Sequence, residues 1–110
     1  HLVPVRRPKE HHMMFFGSPG TGKTTVARIM TGFLYKNKFI KENKCLETDG
    51  NFLKASTTAD TAAKTEIVVR QAFGGVLFID EAYALLSGDA AGEAAIATLI
   101  KQMITGINLS

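Results

Sequence analysis

The apolar positions of this chain alternate between short unbroken runs and longer stretches with helical spacing. Met13-Met14-Phe15-Phe16 is a continuous run, as expected of a strand buried on both faces, and it stops at Gly17. From Lys23 the period changes: Val26, Ala27, Met30, Phe33 and Leu34 form one apolar stripe of a helix reaching about Lys36. A weaker strand covers Cys45 to Thr48, and Asp49-Gly50-Asn51 reads as a turn. Residues 54–62 are small and polar and predict a loop, with Asp60 or Thr61 capping the next helix. That helix buries Val68, Val69, Ala72 and Phe73, and Gly74-Gly75 ends it. Val76-Leu77-Phe78-Ile79 is a second two-sided buried strand. After a loop around Ser87-Gly88-Asp89, residues 90–103 predict a helix whose apolar face is Ile96, Leu99, Ile100 and Met103.

Strand and helix thus alternate three times, the order of an α/β fold with a parallel sheet. Residues 1–12, with Pro4 and Pro8, read as an irregular basic lead-in, 13–103 as the folded core and 104–110 as a tail. No internal repeat or low-complexity tract interrupts this order.

At 110 residues the chain is one small domain at most. No apolar stretch approaches the ~20 residues that span a bilayer, and no signal peptide is visible, so no membrane partner is expected. The single cysteine, Cys45, has no internal partner and reads as a buried structural thiol in a reducing, cytoplasmic setting. The net charge of +3 collects in Arg6, Arg7 and Lys9 and in Lys36, Lys38, Lys41 and Lys44. Neither interleaved aromatics nor a recognisable module accompanies these cations, which argues against nucleic acid. His11-His12 lacks a third ligand and gives no metal site. The first residue is not methionine, which suggests a processed product or a fragment.

Gly17-Ser18-Pro19-Gly20-Thr21-Gly22-Lys23-Thr24 matches the phosphate-binding loop, or Walker A, pattern in full. Its glycines let successive N–H groups point inward as a nest for phosphate oxygens, and the following helix aims its positive end at the same place. Lys23 then reaches the outer phosphates, the Thr24 hydroxyl holds Mg²⁺, and Thr25 joins residues 17–24 in binding the nucleotide. The partner motif is Asp80-Glu81, at the C-terminal end of a buried strand, where ligands sit in open α/β sheets. Asp80 suits the Mg²⁺ shell, and Glu81 suits orienting or deprotonating an attacking water. A guanine-reading motif is absent, so ATP hydrolysis is the leading reading. A P-loop phosphotransferase and a non-catalytic interaction module stay open.

These residues resemble AAA+ ATPases of the CbxX/CfqX type, the group of red-type rubisco activases and stage V sporulation protein K relatives. Gly17 to Arg28, Asp60-Thr61-Ala62-Ala63-Lys64-Thr65 and Gly74 to Tyr83 carry the resemblance, which runs from about His12 to Met103. It implies a three-layer αβα P-loop fold and a Mg-ATP-driven ring, usually of six subunits, that remodels a client protein. Lys23, Thr24, Asp80 and Glu81 carry over onto family positions. Ala55-Ser56-Thr57-Thr58-Ala59 lacks the aromatic that family members use to grip substrate, and Phe52 and Leu53 are expected in the core. The family continues after the equivalent of Met103 with a sensor strand, an arginine finger, a last strand and a helical lid. The resemblance thus implies a truncated core that binds nucleotide weakly and hydrolyses it poorly. It also places the sensor strand between the strands ending at Phe16 and Asp80. Those two strands are therefore expected either to flank a gap or to pair directly.

Overall fold

A computed structural model describes residues 3–7, 12–17 and 23–108, with side chains described at 13–17 and 25–102. In chain order the elements are β1 (Val3–Arg7), β2 (His12–Phe16), α1 (Lys23–Lys36), β3 (Cys45–Asp49), α2 (Gly50–Leu53), α3 (Thr58–Gln71), β4 (Val76–Asp80), a 3-10 turn (Ala82–Leu86) and α4 (Ala90–Asn108). The sheet has the order β1-β2-β4-β3. β2, β4 and β3 run parallel, with Met13 opposite Val76, Phe16 opposite Ile79 and Asp49 opposite Asp80.

Side chains alternate across these strands, and each face has its own helical cover. Phe15, Val76 and Phe78 pack with Ala27, Leu34 and Ile40 on the α1 face. Met14, Leu77 and Ile79 pack with Val68, Val69, Ala95 and Leu99 of α3 and α4 on the other. Val76 to Ile79 are all buried, which is why β4 is a continuous apolar run. Gly74 adopts φ 91°, closed to most side chains, and its carbonyl accepts from Lys41 and Glu42 N–H as α3 gives way to β4.

β2 and β4 pair directly, so no gap separates the two strands that carry the candidate motifs. The lead-in is not irregular: Val3–Arg7 forms β1, antiparallel to β2 along its full length. Pro4 is tolerated because β1 is an edge strand. The turn at 49–51 is the start of α2, capped by Asp49, whose Oδ1 accepts from Asn51 N–H at 2.7 Å. α3 begins at Thr58 rather than after Asp60. Its cap is Thr57, whose hydroxyl accepts from Asp60 N–H at 3.0 Å. Thr61 turns inward instead, fully buried, and its hydroxyl accepts from Ala55 N–H.

Helix faces also differ from expectation. On α1 the buried positions are Ala27, Thr31 and Leu34, while Val26 and Phe33 are exposed. Thr31 is able to enter the core because its hydroxyl donates to Ala27 C=O at 2.7 Å, leaving no polar group unpaired. α4 continues through 104–108, and its buried face runs through Ala95, Thr98 and Leu99, with Ile100 exposed. The side chain of Met103 lies outside the described residues. Leu53 is in the core as expected, but Phe52 is 56% exposed, with the Lys64 ammonium 3.9 Å from its ring centroid. Cys45 is half-buried, and burial pushes its thiol up, away from the reactive thiolate.

Lys54 ties α2 to the far end of the 3-10 turn. Its ammonium donates to Ala84 C=O (2.9 Å) and Ser87 Oγ (3.1 Å) and pairs with Asp89 Oδ2 (2.9 Å), using all three donors. Lys54 and the Gly92 N–H hold the Asp89 carboxyl below its ordinary value of 3.8. A depressed carboxyl stabilises the fold above its unfolded pKa, and that contribution is lost as pH falls through the lower folded value. Lys54→Met is therefore expected to lower Tm near neutrality, since the part-buried Ala84 C=O loses the Lys54 donor along with the Asp89 pair. Thermal melts should show the gap from wild type narrowing below pH 3.8. A gap that stays constant down to pH 2.5, or none at pH 7, counts against the staple.

Candidate nucleotide site

The parallel register brings the C-terminal ends of β2, β4 and β3 to one edge of the sheet. Gly17, the first residue after β2, is held there by two backbone bonds. Its N–H donates to Ile79 C=O and its C=O accepts from Ala82 N–H, both at 2.9 Å. The start of the glycine-rich stretch is thus fixed against the Asp80-Glu81 corner. Ser18, Pro19, Gly20, Thr21 and Gly22 lie outside the described residues. Lys23 and Thr24 open α1, with their side chains outside the described set, and Thr25 follows exposed on the first turn.

Asp80 is half-buried at the end of β4, on the α1 face with Phe78. Its Oδ1 accepts from Glu81 N–H at 2.9 Å. With Glu47, Thr48, Asp49 and Phe52 it lines an open hollow of about 400 Å³. Carboxylate and hydroxyl oxygens are the donors a hard cation such as Mg²⁺ prefers, so Asp80 and Thr24 fit that ion by chemistry. Among the described residues no cluster of three His, Cys, Asp or Glu forms a cage of its own.

Glu81 sits at φ 49°, ψ 43°, the left-handed region, where the chain breaks from strand into the 3-10 turn. Its carbonyl accepts from Ala84 N–H at 3.0 Å. Gly50 makes room for that carbonyl: a Cβ at position 50 would lie 2.5 Å from Glu81 O. Gly50→Ala therefore forces the corner to move, and is expected to destabilise by about 1–3 kcal/mol, the range for overpacking. A Tm drop smaller than ~4 °C in calorimetry would show that the corner yields freely.

The Glu81 carboxylate accepts a hydrogen bond from the Tyr83 hydroxyl at 3.0 Å. That bond is the main reason the Tyr83 phenol is held above its ordinary ionisation range. Tyr83 lines a second hollow of about 400 Å³, on the α4 face, with Phe16, Gly17, Leu85, Leu86 and Ile100. The structure thus brings Gly17, Asp80 and Glu81 together and adds two neighbours that the motifs alone do not reveal. Gly50 is legible only through space. Tyr83 is within the GGVLFIDEAY string, but nothing in its type points to Glu81. Among the described residues no helix is long and apolar enough to cross a membrane.

The family model for the ATPase family associated with various cellular activities (AAA) matches residues 13–108. ESX-1 secretion system protein EccA1 of Mycobacterium tuberculosis is 43% identical over 106 residues, covering 92% of this chain and 18% of that protein. Stage V sporulation protein K of Bacillus subtilis is 42% identical over 94 residues, covering 84% of this chain and 29% of that protein. Chloroplastic ribulose bisphosphate carboxylase/oxygenase activase of Cyanidioschyzon merolae is 50% identical over 78 residues, covering 71% and 27%. The chain therefore spans less than a third of the length of these curated relatives. With a family match over most of its length and a parallel sheet that sets Gly17 beside Asp80 and Glu81, the chain belongs to the AAA family of ATPases.

Proposed function

We propose that this chain binds Mg-ATP at the β2–β4 edge and hydrolyses it, and that in the whole protein this turnover drives remodelling of a client protein within a cytoplasmic ring. The observation that supports the reading is the pair of bonds from Gly17 to Ile79 and Ala82, which hold the residue that opens the glycine-rich stretch against the carboxylate corner. In this reading the amides of residues 17–25 cradle the phosphates, Lys23 offsets their charge, and Thr24 and Asp80 hold Mg²⁺. When bound, Mg-ATP supplies the γ-phosphoryl group. Glu81 orients the attacking water and takes its proton.

Direct pairing of β2 with β4 closes the position that the resemblance gives to a sensor strand, so the isolated chain is expected to turn over slowly. Release of phosphate from γ-labelled ATP tests the reaction. Label appearing as free phosphate supports hydrolysis, and label on a small acceptor makes the chain a phosphotransferase instead. No Mg-ATP binding at all leaves the loop a fold element only.

A further inference from the structure

We propose that Tyr83 is a positioning residue for Glu81: its hydroxyl, donating to Glu81 Oε1, fixes the rotamer in which the other carboxylate oxygen accepts the proton of the attacking water. The inference rests on Glu81 being the base.

The backbone at Glu81 is over-determined. A left-handed φ costs a non-glycine residue roughly 1 kcal/mol and persists only where its surroundings impose it. Here Asp80 Oδ1 holds the Glu81 N–H, Ala84 N–H holds its carbonyl, and the next residue, Ala82, is bonded to Gly17. The Cα–Cβ direction is therefore set. The side chain beyond it is another matter, since glutamate has three rotors and Glu81 is only half-buried. Among the described residues the Tyr83 hydroxyl is the one hydrogen-bond partner of that carboxylate.

Tyrosine suits this task. Its ring has only two rotors to order, and it rests along the apolar hollow formed with Phe16, Leu85 and Leu86. Within a 3-10 turn it is residues three apart that share a face, so the meeting of residues 81 and 83 depends on Glu81 standing before the turn as its left-handed N-cap. Stability does not account for the contact, because Tyr83 is 53% exposed and a solvent-exposed hydrogen bond adds little to the fold. The contact also has a direction. Asp80 lines the α1-side hollow, whereas Tyr83 lines the α4-side one together with Gly17, so the bond ties the Glu81 carboxylate to a side chain on the α4 side.

The test is single-turnover hydrolysis of γ-labelled ATP by the 110-residue chain as wild type, Tyr83→Phe, Glu81→Gln and the double variant. Tyr83→Phe is expected to lower the hydrolysis rate about tenfold, the scale of losing orientation at a reacting centre, with the ATP concentration for half-saturation and Tm unchanged. In the Glu81→Gln background it is expected to have no further effect, since the two residues act as one unit. An unchanged rate in Tyr83→Phe with a dead Glu81→Gln overturns the positioning role alone. A fully active Glu81→Gln overturns the assignment of the base, and the inference with it. Ultraviolet titration of the two tyrosines reads the contact without turnover. The transition missing in Tyr83→Phe is expected at higher pH in wild type than in Glu81→Gln, and coincident transitions would show that the bond is not made in solution.

Discussion

Mg-ATP at ten times its dissociation constant is expected to raise the Tm of this chain by roughly 6–11 °C, and Lys23→Ala is expected to remove that shift. Linkage sets the size. A ligand that binds only the folded state at that concentration stabilises it by about 1.4 kcal/mol, and a domain of this length gains some 4–8 °C per kcal/mol. The loss follows if, as proposed, the ammonium of Lys23, the first residue of α1, offsets the triphosphate charge. Alanine is the best helix former, so α1 is retained in the variant. Differential scanning with and without Mg-ATP checks this. Equal shifts in both proteins, or none in wild type, would remove the nucleotide from the account.

Glu81→Gln should separate binding from chemistry. Gln keeps the shape of the side chain and still accepts from Tyr83, but it cannot take a proton from water. General-base catalysis contributes about 10²–10⁴-fold. The hydrolysis rate of Glu81→Gln is therefore expected to fall by that factor, while the Mg-ATP stabilisation of wild type is retained. Labelled-phosphate release and thermal melts on the same preparation read the two quantities. A variant that loses the thermal shift as well would mark Glu81 as part of the fold or of the binding site, not as the base.

What the sequence made legible depended on how directly residue type reports surroundings. β4 could be read because four adjacent apolar residues have no other home than a two-sided interior. The place of Asp80 and Glu81 can be read because an apolar run that stops at two carboxylates marks where a buried strand reaches solvent. β1 was hidden because Pro4, Arg6 and Arg7 look like solvated chain, yet an edge strand accepts all three. The face of α1 differs from its apolar stripe because hydropathy ranks Phe33 above Thr31. The hydroxyl of Thr31 is satisfied by its own helix, so the core accepts it and leaves Phe33 outside. Thr57 does not stand out as a cap because several neighbours offer the same oxygen, and packing decides by burying Thr61. Gly50 and Tyr83 reach Glu81 only through folding, so no reading along the chain links them.

Direct pairing of β2 with β4 has a mechanical consequence. Pulling Gly17 away from the acidic corner would require tearing a ladder of parallel strand pairs along with the two Gly17 bonds, so these two points travel together. In the proposed site, Gly17 and the acidic corner thus form a common floor, and any change of width on its α1 side that arises among the described elements falls to α1 or to the α2 corner.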